Sequence, residues 1–188
     1  MPVREPETAD KCNNCRRLRL YFDNAVALNV YEGRLREMVL CTKKVAYEPL
    51  TAAMGTLLAR RFREQFSTAD LLVPIPMHWT RRMLRGGNSS EILAGSMVIQ
   101  LNLPTAFDLL ICRRKTSKQG TLLPNERFQN MRGAFSVSRD YDIKDAHILL
   151  IDDVMTTSAT ANEAAKMLRR HGAAKVSVAV IARGTGIQ

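Results

Sequence analysis

Apolar and polar positions alternate in short blocks along the chain, and the period of each block predicts an element. Between Ala25 and Tyr31, Val26, Leu28 and Val30 alternate with Ala27 and Asn29, the period-two pattern of a strand. A short helix is predicted from Arg34. From Leu50 to Phe66, apolar residues at Leu50, Ala53, Met54, Leu57, Leu58 and Phe62 recur at helical spacing, while Arg60, Arg61, Arg63 and Glu64 lie off that stripe. Asp70 to Ile75 is a compact apolar run broken by Pro74 and Pro76. A proline pushes the residue before it into extended geometry, so a strand should end there in a stiff loop. A helix over Ser89 to Leu101 is expected next. Leu109 to Cys112, His147 to Val154 and Val176 to Ala182 are further apolar runs. The last two are too continuous to have one wet face, as in strands buried within a parallel sheet.

Between Arg113 and Asp145 the pattern weakens into a polar, basic stretch with Gly120, Pro124 and Gly133. It is longer than a connecting loop usually is, so it reads as disordered or as a mobile lid over a site. The alternation of strands and helices predicts an α/β fold, a mostly parallel doubly wound sheet. Right-handed crossovers then put the strand C-termini along one edge, where ligands bind.

Composition narrows this picture. At 188 residues, the chain fits one domain with at most a short appendage. Its 46% apolar and 24% charged content is that of a folded soluble protein, and no apolar run reaches the ~18 residues of a membrane span, so no membrane insertion is expected. The polar stretch from Met1 to Lys11 lacks the apolar core of a secretion signal, which predicts a cytoplasmic protein. There Cys12, Cys15, Cys41 and Cys112 should be reduced thiols. The net charge of +10 favours polyanions such as nucleic acid, or small phosphorylated ligands, without choosing between them.

The segment from His147 to Thr160, with the sequence HILLIDDVMTTSAT, carries the chemistry. A buried strand delivers two acids, Asp152 and Asp153, into a run of small hydroxyl residues and then a helix. Ala161, Ala164, Ala165 and Leu168 form that helix's apolar stripe, and Gly172 offers its stop. Unpaired backbone N–H groups at a helix start attract anions, and Thr156, Thr157, Ser158 and Thr160, with the backbone of Ala159, can add donors to a phosphate monoester. Ionised Asp152 and Asp153 only accept hydrogen bonds, which suits two ribose hydroxyls, and they could help hold a metal through water. Taken as isolated dipeptides, Asp-Asp also ends strands and Thr-Thr-Ser also caps helices.

Taken whole, the block resembles the 5-phosphoribosyl 1-pyrophosphate signature of type I phosphoribosyltransferases: an apolar strand, Asp-Asp, two residues, then Thr-Thr-Gly-x-Thr. Ser158 departs from the usual Gly, whose missing side chain permits close approach to phosphate and positive φ. Thr156 stands where purine-salvage members carry an Asp taken as general base, which argues against purine-base salvage. Upstream, PIPMHWTRRMLRGGN from Pro74 to Asn88, then Glu91, Leu93-Ala94, Gln119, Arg127, Asn130 and Gly133 to Phe135, are similar to the ComF family. Gly87 and Ser89 replace the Phe and Gln expected around Asn88. ComF proteins are competence-associated, phosphoribosyltransferase-like proteins with an N-terminal zinc finger, implicated in DNA uptake.

The resemblance implies a type I phosphoribosyltransferase domain over residues 25–188, preceded by a short zinc-finger remnant over 1–24. It also implies Mg²⁺ on the ligand and a flexible hood over the acceptor that includes Arg113, Lys115, Gln119 and Arg127, with Arg113, Arg114, Lys115, Lys118, Arg127 and Arg132 as its cationic part. Physically, Arg81, Arg82 and Arg85 are expected in a loop beyond a strand end, where guanidinium forks bind a pyrophosphate group. Cys12 and Cys15 have the spacing of half a zinc knuckle, with two of the usual four ligands unfilled. The leading expectation is phosphoribosyl transfer to an unidentified acceptor. The alternative is a non-catalytic sensor of a phosphoribosyl ligand, or a basic scaffold that binds single-stranded DNA or competence proteins.

Overall fold

The computed structural model describes residues 19–117 and 123–184. Four strands form one parallel sheet: β1 (Asn24–Val30), β2 (Leu71–Pro74), β5 (His147–Met155) and β6 (Lys175–Arg183), in the order β1-β6-β5-β2. Beyond β2, Leu72 also bridges Thr105 in parallel. Side chains alternate between the two faces of such a sheet. Leu72, Leu149, Ile151, Ala179 and Ile181 meet one apolar core, and Val73, Ile148, Leu150, Val178 and Val180 meet the other. Both faces are therefore dry, which is why β5 and β6 read as continuous apolar runs.

One face is covered by α1 (Gly33–Cys41), α2 (Glu48–Arg61) and α5 (Ser89–Leu101). Helices α2 and α5 approach so closely that a Cβ at Gly55 would lie 2.0 Å from Ser96 Oγ and 2.8 Å from the Leu93 carbonyl oxygen. The helix expected from Leu50 to Phe66 breaks at Phe62 (φ −117°, ψ 24°), and a short α3 (Arg63–Phe66) follows. The break turns Phe66 into the core, where it is buried.

The opposite face carries α7 (Ala159–Arg170), whose Ala161, Ala164, Ala165 and Leu168 are buried as the stripe predicts. Beside it, the stretch read from sequence as a lid holds regular structure. It contains α6 (Pro124–Met131), which packs on α7, and β4 (Phe135–Val137), which pairs antiparallel with β3 (Leu110–Cys112), the apolar run just before the stretch, in a sheet of their own. The polar sequence hides this because Met131, Phe135 and Val137, which enter the core, are spread over many residues.

Helix α5 follows β2 on one face, and α7 follows β5 on the other. A crevice thus opens between the C-terminal ends of two adjacent parallel strands, the place where doubly wound sheets hold ligands. Among the described residues, no helix is long and apolar enough to cross a membrane. Cys12 and Cys15 lie outside the described residues, and Cys41 and Cys112 are free thiols.

Candidate functional site

Strand β5 carries Asp152 and Asp153 to the mouth of this crevice, the first half-buried and the second buried. Neither faces open water alone. Ser90 Oγ donates to Asp152 Oδ1 at 3.0 Å, and the Asp153 backbone N–H donates to the same oxygen at 2.8 Å. Ser89 Oγ donates to Asp153 Oδ2 at 3.1 Å, and Lys43 Nζ lies 2.5 Å from that oxygen. Burial and the neighbouring Asp153 charge push the Asp152 carboxyl up to about 7, against the pull of its hydrogen bonds and of Lys43.

Past the acids, the chain turns sharply. Ser158 sits in the left-handed region (φ 66°, ψ 2°) and caps α7, its carbonyl accepting the first helical bond from Asn162 N–H at 2.8 Å. Positive φ is what glycine normally supplies at such a turn, and a serine bears its steric cost. Thr156 is exposed, Thr157 and Thr160 are half-buried, and Ser158 and Ala159 are buried. The predicted phosphate residues therefore form one loop at the N-terminus of a twelve-residue helix.

The basic residues divide. Arg81, Arg82 and Arg85 do not lie in a loop but in α4 (Trp79–Arg85), between a His78 cap and Gly86, whose φ of 78° ends the helix. His78 Nδ1 lies 2.9 Å from Thr80 Oγ1 and stabilises that start. The three guanidinium groups do not converge. Arg81 donates to the Thr116 carbonyl at 2.9 Å, and Arg82 pairs with Glu91 at 2.5 Å. Arg85 instead lines a pocket with Lys43, Lys44, Glu48 and Ser89.

In the hood, Arg127 Nη1 donates to Thr156 Oγ1 at 3.1 Å, which joins α6 to the phosphate loop. Arg113 donates to Ser136 Oγ at 2.6 Å, within the hood itself, and Lys115 is exposed. Lys118 and Gln119 lie outside the described residues. Asn130 and Ser117 exchange two hydrogen bonds, at 3.0 and 3.2 Å, and fix the hood's base.

Sequence reasoning missed Lys43, Ser89 and Ser90 at the acids, and Glu163, whose Oε1 accepts from the Gly133 N–H at 2.8 Å to hold the hood on α7. Lys43 is 110 positions from Asp153 and carries no local pattern that could reveal it. For Ser89 and Ser90 there was a signal, since they open a helix immediately after an Asn cap. Among the described residues, no group of three or more His, Cys, Asp or Glu side chains could hold a metal ion. The two acids and flanking hydroxyls are still hard oxygen donors, which fit Mg²⁺, an ion usually held by one or two carboxylates together with phosphates and water.

Residues 87–186 match the family described as phosphoribosyl transferase domain. The chain is 27% identical over 182 residues to competence protein F of Haemophilus influenzae, covering 93% of this chain and 79% of that protein. It is 31% identical over 178 residues to DNA utilization protein YhgH of Escherichia coli strain K12, covering 92% of this chain and 77% of that protein. A solved structure of glutamine phosphoribosylpyrophosphate amidotransferase from B. subtilis aligns with a TM-score of 0.47 at 23% identity, over 69% of this chain and 25% of that one.

Proposed function

The chain belongs to the phosphoribosyl transferase domain family, in its ComF branch, and from that premise we propose that it binds 5-phosphoribosyl 1-pyrophosphate with Mg²⁺ and transfers phosphoribose to an acceptor. The observation that carries this reading is the turn at Ser158, which sets the start of α7 directly after two acids at the mouth of the sheet crevice. In this reading the 5-phosphate takes the backbone N–H groups and hydroxyls from Thr156 to Thr160. Asp152 and Asp153 accept from the ribose hydroxyls. In transfer, an acceptor nucleophile forms a bond to the anomeric carbon as that carbon's bond to pyrophosphate breaks, and pyrophosphate leaves with the electron pair. Mg²⁺, when bound, neutralises charge on the departing group. Arg127 ties the hood to the phosphate loop, which would exclude water from the reacting carbon.

The test is calorimetric titration with phosphoribosyl pyrophosphate, with and without Mg²⁺, of the parent and of the Asp152→Asn/Asp153→Asn variant. Binding by the parent alone supports the site. No binding by a folded parent sinks the reading.

A second reading draws on the net charge of +10 and on the names of the relatives, a competence protein and DNA utilization proteins. In it the fold is a phosphoribosyl-ligand sensor or a basic scaffold for single-stranded DNA, without transfer chemistry. A salt-dependent DNA affinity lost on changing Arg113, Arg114 and Lys115, yet insensitive to Asp152 and Asp153, favours the scaffold. Pyrophosphate release with any acceptor favours the enzyme.

A further inference from the structure

The two edges of the parallel sheet differ. At the β2 edge, the Leu72 N–H donates to the Pro104 carbonyl at 2.9 Å and the Leu72 carbonyl accepts from the Ala106 N–H at 3.0 Å, so a passing segment covers the strand. The other edge is β1, a seven-residue strand with the sequence NAVALNV. Backbone groups point to alternate sides along a strand. The N–H groups of Asp23 and Tyr31, which flank β1, donate to β6 at 2.8 Å each. Ala25, Ala27 and Asn29 therefore turn toward β6, and Asn24, Val26, Leu28 and Val30 turn outward. Val30 is closed locally, its N–H donating to Asn29 Oδ1 at 2.8 Å and its carbonyl accepting from the Glu32 N–H at 2.9 Å. Among the described residues, nothing bonds to the outward backbone groups of Asn24, Val26 and Leu28.

An open row of this kind is a template for another strand, and proteins usually guard it with lysine, other charges or proline. Strand β1 has none of these. Its apolar side chains are unfinished as well. Val26 and Leu28 reach the core beneath α1, α2 and α5 yet stay half-buried, whereas Leu149, Ile151 and Ile181 on the inner strands are fully buried. Val30 is 38% exposed, and α1, which follows two residues later, leaves Met38 and Leu40 exposed. The strand is also complementary to itself. In an antiparallel pair centred on Val26, that residue stands opposite its own copy and Asn24 stands opposite Leu28, which closes every open group in hydrogen-bonded pairs. On the other face, Ala25 stands opposite Ala27, and both are small. A two-fold axis through Val26 keeps each face on its own side, so each apolar core continues into its counterpart.

We propose that β1 is the interface of a symmetric dimer, in which two copies of this chain pair antiparallel through Asn24, Val26 and Leu28 and join their four-stranded sheets into one. An uncharged strand offers nothing to a charged partner, and the symmetric pairing leaves none of the open groups over. The strands of the second copy run opposite to those of the first. The two crevices therefore open at opposite edges of the joined sheet, each clear of the interface.

Sedimentation velocity over a range of concentrations, on the full chain and on Val26→Pro, tests the interface. Proline at this position removes the outward N–H and no bond to β6, the one placement that an edge strand tolerates. The parent should shift from one chain to two as concentration rises, and the folded variant should remain a single chain. Amide hydrogen exchange of the parent, read residue by residue, decides alone should Val26→Pro fail to fold. When about nine chains in ten are paired, the Val26 and Leu28 amides should exchange about tenfold more slowly than in dilute protein, because only the free tenth is open to solvent. The Ala25 and Ala27 amides, bonded to β6 in both states, should change far less. A parent that stays a single chain at every concentration, or a dimer that survives Val26→Pro, overturns the proposal. So does protection of Val26 and Leu28 that does not follow concentration, which would assign the edge to another segment of the same chain.

Discussion

Replacing Asp152 by Asn should make the protein more stable at neutral pH. The Asp152 carboxyl is held at about 7, against an ordinary 3.8, by burial and by the charge of Asp153. A carboxyl whose folded value is raised binds its proton more tightly in the folded chain than in the unfolded one. Its favourable contribution is fully present below pH 3.8 and is lost as the pH rises through about 7. At about 1.4 kcal/mol for each tenfold change, the full loss is about 4 kcal/mol. That is a ceiling, because Asp152 keeps some contact with solvent. Asn is isosteric, its Oδ1 can accept from Ser90 Oγ and the Asp153 N–H as the carboxylate does, and it carries no charge to repel Asp153. We expect Asp152→Asn to gain about 1–3 kcal/mol at pH 8 and close to nothing at pH 4. Urea unfolding of parent and variant at a series of pH values measures the gap. A variant no more stable than the parent at pH 8, or a gap that does not widen with pH, refutes the argument that repulsion and burial strain this pair.

Three further outcomes follow from the same geometry. Ser158→Gly should raise stability by about 0.5–1 kcal/mol, because glycine takes the left-handed turn without the cost that a side chain meets there; a lower midpoint in thermal unfolding would mean that the serine hydroxyl contributes more than the backbone loses. Arg169→Ala removes a two-oxygen pair with Asp23, at 2.6 and 2.7 Å, and a bond to the Tyr21 carbonyl, so it should cost about 1–2 kcal/mol and speed hydrogen exchange in residues 19–23 before the sheet is affected. Burial lowers the His147 imidazole from its ordinary 6.5, so its neutral form supports the fold and stability should decline as pH falls through 6.5 and below. This slope is opposite in sign to that of Asp152, so it is best read by urea unfolding in the Asp152→Asn background; a flat profile below pH 6.5 there counts against it.

The fold was largely legible because its core strands are dry on both faces, and a dry strand announces itself as an unbroken apolar run. His147 to Val154 and Val176 to Ala182 are such runs, and β5 and β6 are their neighbours in the sheet. The stripe of Ala161, Ala164, Ala165 and Leu168 gave α7 for the same reason, since one helical face had to be apolar to cover that sheet. Where an element is held by polar or dispersed contacts, the pattern fails. Helix α4 exposes Trp79, Met83 and Leu84 and buries none of its residues, so nothing in its periodicity marks a helix, and its arginines read as a loop. What fixes it is local, the His78 cap at one end and the left-handed Gly86 at the other.

The candidate site divides along the same line. The acids and the phosphate loop lie on one continuous stretch of chain, so a single segment displays their order, and the departure at Ser158 from the expected glycine pointed to a backbone conformation that the structure adopts at φ 66°. The side chains that contact those acids come from elsewhere. Ser89 and Ser90 arrive on α5, and Lys43 arrives from the segment between α1 and α2. Their meeting depends on how α2 and α5 stack beneath the sheet, and the close approach at Gly55 is part of that stacking. A sequence displays what neighbours in the chain do together, whereas the electrostatics of a buried pair is a property of what folding brings to it. Lys43 is therefore the residue on which the sequence was silent and the structure most informative.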